Sequence, residues 1–212
     1  NADFVCAMED VLEVYQRHYE EDEVLICMDE TSKQHIKETR IPLPTRPGEP
    51  ERIDYEYERN GVSNLLMLFA PLEGWRPVKV TDRHTKVDWA QLIKELVDEH
   101  HPKKKIILVM DNLNTHKLGS LYEAFEPAEA RRIADRLEIH YTPNHGSWLD
   151  MAEIEIGVLS RQCLDRRLPD QETLKREINA WQYTRNQKAI RVDWRFTAED
   201  ARTKLKSLYP SI

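Results

Sequence analysis

Glycine, cysteine and long apolar runs are all scarce in this sequence. Its 212 residues include only 6 Gly, which argues against a linker-rich or low-complexity chain. No apolar run approaches the roughly 20 residues needed to span a bilayer, and no signal-peptide pattern opens the sequence. The three cysteines, Cys6, Cys27 and Cys163, lack the spacing of a zinc motif and fit reduced thiols. These absences favour a cytoplasmic protein without a membrane partner.

A net positive charge, which is typical of nucleic-acid-binding proteins, is also absent. The formal charge of −7 at pH 7 argues weakly against a nucleic-acid partner. The charge is uneven, because residues 1–155 carry 19 basic and 31 acidic side chains, whereas residues 156–212 carry 12 basic and 7 acidic ones. A basic C-terminal third can follow phosphates, although a solvated helical face is the commoner explanation.

Two acidic residues each close an apolar run that is typical of a buried strand. Asp29 ends the run at residues 23–29, and Asp111 ends the run at residues 106–111. Buried strands favour Val, Ile and Leu, and charges there are avoided unless they are paired or bind a metal. A third acid, Glu153, follows a loop at residues 142–149. Each acid alone is most simply a surface charge, but three in this layout indicate a hard-metal site for phosphoryl chemistry.

Helical spacing distinguishes the acids that follow this loop. On a helix, Asp150 and Glu153 lie three residues apart and share a face, whereas Glu155 points away from both. We therefore take Glu153 as the main metal ligand and Asp150 as a candidate helper. Glu30 faces away from Asp29 if the strand continues, so we expect it not to bind the metal.

The order of the predicted elements indicates an α/β fold. Three antiparallel strands are followed by helix, strand, helix, strand and helix, which builds a mixed five-stranded sheet with helices on both faces. In such a sheet Asp29 and Asp111 end adjacent strands. The predicted helices are 2–20, 86–99, 118–137 with a break near Pro127, 148–167, one capped by Thr173, and 197–208. The predicted strands are 23–28, 62–70, 76–81, 106–110 and 137–141, with β-type alternation at 53–59, a tight hairpin turn at Asn60-Gly61 and a loop at 40–52.

Two motifs resemble those of a known enzyme family. Residues 111–116 read DNLNTH and look like the D-N-x-x-x-H motif of DDE transposases. Residues 141–149 (YTPNHGSWL) with Glu153 resemble the third-carboxylate region in the bacterial insertion-sequence branch of the mariner-like superfamily, and residues 24–31 resemble its first-aspartate strand. The resemblance covers roughly residues 20–170. It implies a ribonuclease-H-like fold, related to retroviral integrases. It also implies an enzyme that cuts DNA at transposon ends and joins the freed 3′-hydroxyl to target DNA, commonly at TA.

The resemblance assigns roles to individual residues. It makes Asp29, Asp111 and Glu153 the catalytic triad and the ligands of Mg²⁺ or Mn²⁺, with two ions expected. Relatives commonly carry Asn where Asp150 stands, so this chain has an extra carboxylate near the metals. The supporting residues that match the two motifs are Asn112, His116, His145, Gly146, Ser147 and Trp148.

The resemblance also implies partners and a domain plan. The expected partners are double-stranded DNA, at transposon ends and target, and a second copy of the chain, since two ends must be brought together. In bacteria such a protein would be associated with the nucleoid. We expect one catalytic domain over residues 1–212, with its core at about 20–170 and a basic helical segment at about 171–212. A helix-turn-helix DNA-binding region would lie N-terminal to this chain.

Basic residues after the third acid are candidates for holding the DNA backbone, because phosphates near the metals need positive partners. For any one of them a surface salt bridge is the commoner role. The candidates are Arg161, Arg166, Arg167, Lys175, Arg176, Arg185 and Lys188.

Two other functions are also compatible with the sequence. A nuclease or resolvase of the same fold would hydrolyse DNA without joining it, and the strand order alone does not separate the two. A decayed or domesticated transposase core would act as a DNA-binding or dimerisation module, and loss of a triad acid would mark it. No triad acid is lost here, and the two motifs favour the transposase.

Overall fold

Five strands form the sheet that positions the acids: β1 (Glu23–Glu38), β2 (Tyr57–Phe69), β3 (Val78–Thr81), β4 (Lys105–Met110) and β5 (Leu137–Tyr141). The computed structural model describes residues 1–40, 47–48 and 55–210. The strand order is β3-β2-β1-β4-β5. β1, β4 and β5 run parallel, while β2 is antiparallel to both β1 and β3. The predicted mixed five-stranded sheet is confirmed.

Seven α-helices in the described residues surround this sheet: α1 (Ala2–Gln16), α2 (Lys86–Glu95), α3 (Gly119–Ala124), α4 (Pro127–Ala134), α5 (Met151–Leu159), α6 (Gln171–Gln187) and α7 (Ala198–Lys204). π-helical turns at Leu96–His100 and Ser160–Leu164 extend α2 and α5, and 3₁₀ turns lie at Ser147–Leu149 and Lys206–Leu208. No helix of the described residues is long and apolar enough to cross a membrane.

The helices lie on both faces of the sheet, as predicted. Successive residues of a strand point to opposite faces. Val24 and Ile26 of β1 therefore pack beneath α2, α3 and α4, whereas Leu25 and Cys27 pack against α1 and α7. α5 and α6 cover the far half of β2 and β3 on the same side as α1.

Of two predicted helix boundaries, one is confirmed and one is wrong. The break near Pro127 is confirmed, because Pro127 begins α4, where its missing N–H needs no partner. The predicted cap at Thr173 is wrong. Asp170 is the N-cap of α6, and its carboxylate accepts a hydrogen bond of 2.7 Å from the Thr173 backbone N–H.

β1 continues well past the predicted end at residue 28, so Asp29 lies inside a strand and not at its end. β2 pairs with β1 as far as Glu38, so the backbone groups of β1 beyond Asp29 have hydrogen-bond partners in β2. The parallel partner β4, by contrast, stops at Met110, which pairs with Met28. Asp29 therefore stands where one neighbouring strand is lost, which opens the edge of the sheet beside it.

The predicted turn at Asn60-Gly61 is also wrong, because β2 runs straight through both residues. The left-handed backbone of Gly61 (φ +92°) lies at a register shift between Gln34 and Ile36 of β1, which marks a β-bulge. The Asn60-Gly61 pair therefore forms a bulge within β2 and does not reverse the direction of the chain. Residues 41–46 and 49–54, which include most of the predicted loop at 40–52, lie outside the described residues.

We predict that Gly74→Ala destabilises the fold far more than Gly61→Ala does. Both glycines have a positive φ, so each substitution should cost about 1–2 kcal/mol of backbone strain. A Cβ at Gly74 would also lie 2.5 Å from the carbonyl oxygen of Ala189, whereas one at Gly61 meets no atom within 4 Å. The total loss for Gly74→Ala should therefore reach at least about 3 kcal/mol by urea denaturation. Equal losses would show that the close approach of these two chain segments is unimportant.

Candidate active site

The register of β1 and β4 brings the first two acids together. Met28 pairs with Met110, so Asp29 within β1 and Asp111 directly after β4 lie at the same level of two neighbouring parallel strands. α5 packs against β1 and carries Glu153 in its first turn. All three acids line one cleft of about 390 Å³. Its lining residues are Asp29, Glu30, Asp111, Asn112, Leu113, Thr142, Pro143, Asn144, His145, Ser147, Asp150 and Glu153.

Asp29 is held in a partly buried, negatively charged environment. Its Oδ1 accepts a hydrogen bond of 2.8 Å from the Glu30 backbone N–H. Burial, followed by the nearby charges of Asp111 and Glu153, outweighs this bond and raises the pKa of Asp29 to about 7. A cation in the cleft would reverse this effect by stabilising the charged carboxylate.

Asp150 is the most deeply buried acid of the cleft. Its Oδ1 caps α5 by accepting a hydrogen bond of 2.8 Å from the Ala152 N–H. Its Oδ2 is buried and has no hydrogen-bond partner among the described residues. Burial, together with the charge of Asp29, raises the pKa of Asp150 well above its usual range. An unpartnered buried carboxylate oxygen facing other acids is a suitable ligand for a hard cation.

His116 lies behind the cleft and bridges two acids. Its Nδ1 is 2.5 Å from Oδ1 of Asp111, and its Nε2 is 2.8 Å from Oε2 of Glu30. Burial alone would lower the pKa of His116, but the bonds to Asp111 and Glu30 outweigh it and raise the pKa to about 9. The ring stacks near Trp89, with centroids 6.2 Å apart. His116 therefore orients Asp111, and Glu30 is engaged in fixing His116.

The loop before α5 makes a tight turn at the rim of the cleft. The Gly146 N–H donates a hydrogen bond of 2.8 Å to the carbonyl of Pro143. A Cβ on Gly146 would lie 2.5 Å from Cγ of Pro143, so only glycine fits. His145 adopts a left-handed backbone (φ +64°) and lines the cleft with Ser147. Trp148 is 40 % exposed and lies edge-on to Phe196, away from the cleft lining.

Comparison with protein-family models decides the family. The model described as "DDE superfamily endonuclease" matches residues 24–175, which is more than half of the chain. The chain belongs to the DDE superfamily endonucleases. The resemblance inferred from the two sequence motifs is thereby confirmed. No curated protein gives a significant sequence match.

Solved structures of a mariner transposase share the fold of this DDE endonuclease. A pre-cleavage Mos1 transpososome matches with a TM-score of 0.61 at 12% identity, covering 100% of this chain and 64% of that one. A Mos1 paired-end complex with the left transposon end gives 0.60 at 13% identity, covering 90% and 59%. A Mos1 paired-end complex with Mn gives 0.58 at 14% identity, with the same coverage. The DDE chain thus spans about three fifths of the Mos1 transposase chains, and at these identities the likeness shows the fold.

The donor set of the cleft suits a hard divalent cation. No lysine or arginine is found among the described residues that line it, so the carboxylates face one another without a positive partner there. All of them offer oxygen ligands, which Mg²⁺ and Mn²⁺ prefer. The side chains of the described residues, as they stand, include no group of three His, Cys, Asp or Glu already drawn into a metal-binding arrangement. The acids would therefore have to close on the ion.

A buried ion cluster that was not predicted lies behind α5. Glu155 points away from the cleft, as expected, and is buried with Arg76 and Arg185. The sequence around Arg76 gives no sign of this pairing, because the residue is separated from Glu155 by most of the fold. An acid on the buried face of the predicted helix was the one available signal, since such an acid needs a partner.

Most of the basic residues predicted to hold DNA have carboxylate partners in the structure. Arg166 pairs with Glu177, Arg167 with Glu38, Lys175 with Glu172, Arg176 with Glu177 and Arg185 with Glu155. Arg161 and Lys188 have no ion-pair partner among the described residues. Arg161 lines a shallow cavity of about 340 Å³ beside Lys33, along the same helix that carries Glu153.

We predict that Asp29→Asn stabilises the fold above neutral pH in the absence of metal. The raised pKa means that the folded state holds the Asp29 proton more tightly than the unfolded chain does. The stability that Asp29 contributes is therefore present below about pH 4 and is lost as the pH rises through about 7. At about 1.4 kcal/mol per pKa unit, with part of the shift screened by solvent, the variant should gain on the order of 1–2 kcal/mol at pH 8.

The measurement is thermal unfolding of both proteins at pH 5 and pH 8, with and without Mg²⁺. The gain at pH 8 should shrink when Mg²⁺ is added, because the wild-type carboxylates then have a counter-charge. Asp193→Asn is the control, since that side chain is 79% exposed and outside the cleft. A wild type whose stability relative to Asp29→Asn does not change with pH would contradict the origin assigned to the shift.

Proposed function

We propose that this chain is the catalytic part of a transposase that cleaves DNA at transposon ends and joins the freed 3′-hydroxyl to target DNA, at TA. The observation that carries the proposal is the meeting of Asp29, Asp111 and Glu153, from β1, the end of β4 and α5, in one open cleft. Membership of the DDE endonucleases supports the same reading.

Asp29, Asp111 and Glu153 would hold Mg²⁺ or Mn²⁺ through their carboxylate oxygens, with two ions and with Asp150 as an additional ligand. When bound, such ions lower the pKa of an attacking water or 3′-hydroxyl and offset negative charge on the leaving oxygen. His116 would keep Asp111 turned towards the cleft, and Asp150 would fix the start of α5 through its cap. The rim residues Asn112, His145 and Ser147 offer polar contacts to a phosphate.

The Mos1 structures support DNA and metal as partners. They include paired-end complexes with Mn and with Mg, and a strand transfer complex. By this likeness we propose that double-stranded DNA is the substrate and that two copies of the chain act on two DNA ends. A second cavity of about 660 Å³ shares Asn112 and the loop at residues 142–145 with the cleft, and an elongated substrate could extend towards it.

We predict that Asp111→Asn and Glu153→Gln each lower DNA nicking and joining by at least about 1000-fold, because each removes a metal ligand that stabilises transition-state charge by several kcal/mol. A supercoiled plasmid reports nicking in Mg²⁺ or Mn²⁺. A labelled duplex with free 3′-hydroxyls reports joining to that plasmid. Glu172→Gln is the matched control, because its side chain is 87% exposed on α6.

Each contrary outcome of this assay has a distinct meaning. Variants that cut as well as the wild type would refute the assignment of the acids. A wild type that nicks but never joins would favour the hydrolytic nuclease or resolvase. A wild type that binds DNA and remains inert with either metal would favour a decayed core that acts as a DNA-binding or dimerisation module.

We further propose that Arg161 contacts the DNA backbone next to the reacting phosphate. It follows Glu153 by eight residues along one helical run, which is about 12 Å. Its guanidinium has no carboxylate partner among the described residues, so binding a phosphate would break no ion pair. Lys188 shares the last property but lies in a different cavity, between α6 and the end of α5.

We predict that Arg161→Ala weakens DNA binding and reduces the slope of log affinity against log salt by about 1, because one phosphate contact is lost. Fluorescence anisotropy over a series of KCl concentrations gives both quantities. Arg131→Ala is the control. The side chain of Arg131 is 71% exposed on α4, which precedes the start of β5, whereas Asp111 follows the end of the parallel strand β4. A slope equal for the wild type and Arg161→Ala would exclude this contact.

A further inference from the structure

The ion cluster behind α5 is the most completely buried group of charges in the described residues. The side chains of Arg76 and Glu155 are 0% and 3% exposed, and that of Arg185 is 13% exposed. Arg185 makes a forked contact with Glu155, with Nε–Oε1 at 2.6 Å and Nη2–Oε2 at 3.0 Å. Nε of Arg76 lies 2.9 Å from the same Oε1. One carboxylate on α5 is therefore held by two guanidinium groups.

These guanidinium groups are themselves fixed by the surrounding backbone. Arg76 donates to the carbonyl of Gly74 at 3.1 Å and to the carbonyl of Ile190, and it lies 4.9 Å from the centre of the Phe69 ring. Arg185 belongs to α6. The cluster therefore ties α5 to the turn before β3, to α6 and to the segment that follows it.

A gain in stability is a weak explanation for this cluster. Removing three charged groups from water is costly, and apolar side chains of similar volume often stabilise a fold as well or better. Ile156 and Leu159 already pack α5 against the sheet through apolar contacts. Apolar contacts are non-directional, whereas a forked guanidinium–carboxylate contact fixes the direction of both groups. The contribution that apolar contacts would not make is a fixed rotation of α5 about its helix axis.

That angle determines where Glu153 points. Glu153 and Glu155 are two residues apart, which is about 200° around the helix, so they lie on opposite faces. A rotation of about 15° would move a carboxylate that lies about 5 Å from the helix axis by about 1.3 Å. The acids must close on the ion, and metal–ligand distances hold to about 0.2 Å, so a displacement of this size would add to the movement that Glu153 has to make.

We propose that Glu155, held by Arg76 and Arg185, is a positioning residue that sets the rotation of α5 and thereby places Glu153 at the metal. This inference rests on the proposed metal-dependent function. Glu155 touches neither the metal nor DNA, and it acts through the helix that it shares with Glu153. Arg185 shares this positioning role, since its guanidinium is bonded to the Glu155 carboxylate.

The test is the Mn²⁺ affinity of the purified chain, measured by electron paramagnetic resonance of free Mn²⁺. Glu155→Gln keeps the size of the side chain and removes the charge that both arginines share. Its Kd for Mn²⁺ should rise by about 10-fold or more, as is usual when a residue supporting a metal ligand is lost. Arg185→Lys is a second variant, which keeps the charge but not the forked contact, and its Kd should rise in the same direction.

Leu159→Ala separates positioning from stability. Leu159 is fully buried on the same helix, and its truncation should destabilise the fold by about 2–5 kcal/mol without touching the ion cluster. All proteins are compared well below their melting temperatures. If only loss of the cluster rotates α5, the Kd of Leu159→Ala for Mn²⁺ should stay within about twofold of the wild-type value.

Three outcomes would overturn the inference, and they are distinguishable. Wild-type Kd values in both Glu155→Gln and Arg185→Lys would refute the positioning role while leaving the metal site intact. An equal rise in Leu159→Ala would show that Glu155 acts through stability alone. A wild type that binds no Mn²⁺ would refute the proposed metal site, and the positioning role with it.

Discussion

Repulsion among carboxylates at one edge of the sheet is the constraint on which the rest of the structure depends. Asp29, Asp111, Asp150 and Glu153 share a cleft that no lysine or arginine of the described residues lines. Burial, followed by the charges of the neighbouring acids, favours protonation and raises the pKa values of Asp29 and Asp150. The fold must therefore hold these acids in place against their own repulsion.

Positive groups are present, but they stand behind the acids. His116 bonds to Asp111 from below the cleft, and Arg76 and Arg185 form ion pairs with Glu155 on the far side of α5. This arrangement orients the elements that carry the acids without neutralising the acids themselves. A lysine within the cleft would have stabilised the protein, but it would also have competed with the proposed cations. Because these positive side chains lie outside the cleft, the carboxylates within it stay available to a metal cation from solution.

The parts of the fold and site that are local in sequence could be predicted, and those set by distant partners could not. The apolar runs before Asp29 and Asp111 predicted two adjacent strands, because burial on both faces selects Val, Ile and Leu. The extension of β1 past Asp29 was missed, because it depends on pairing with β2, and Asn60-Gly61 forms a bulge for the same reason. The pairing of Arg76 with Glu155 left no local pattern.

Asp150 has a buried oxygen that its role as a helix cap does not explain. Its role as the N-cap of α5 needs one oxygen, and asparagine would supply it without a charge. The second oxygen is buried, has no partner among the described residues and faces the charge of Asp29, so as a cap alone the aspartate is the less stable choice. A divalent cation would satisfy that oxygen and remove the repulsion at once. The carboxylate at position 150 is therefore better explained by ligand binding than by helix formation, and this supports the proposed metal site.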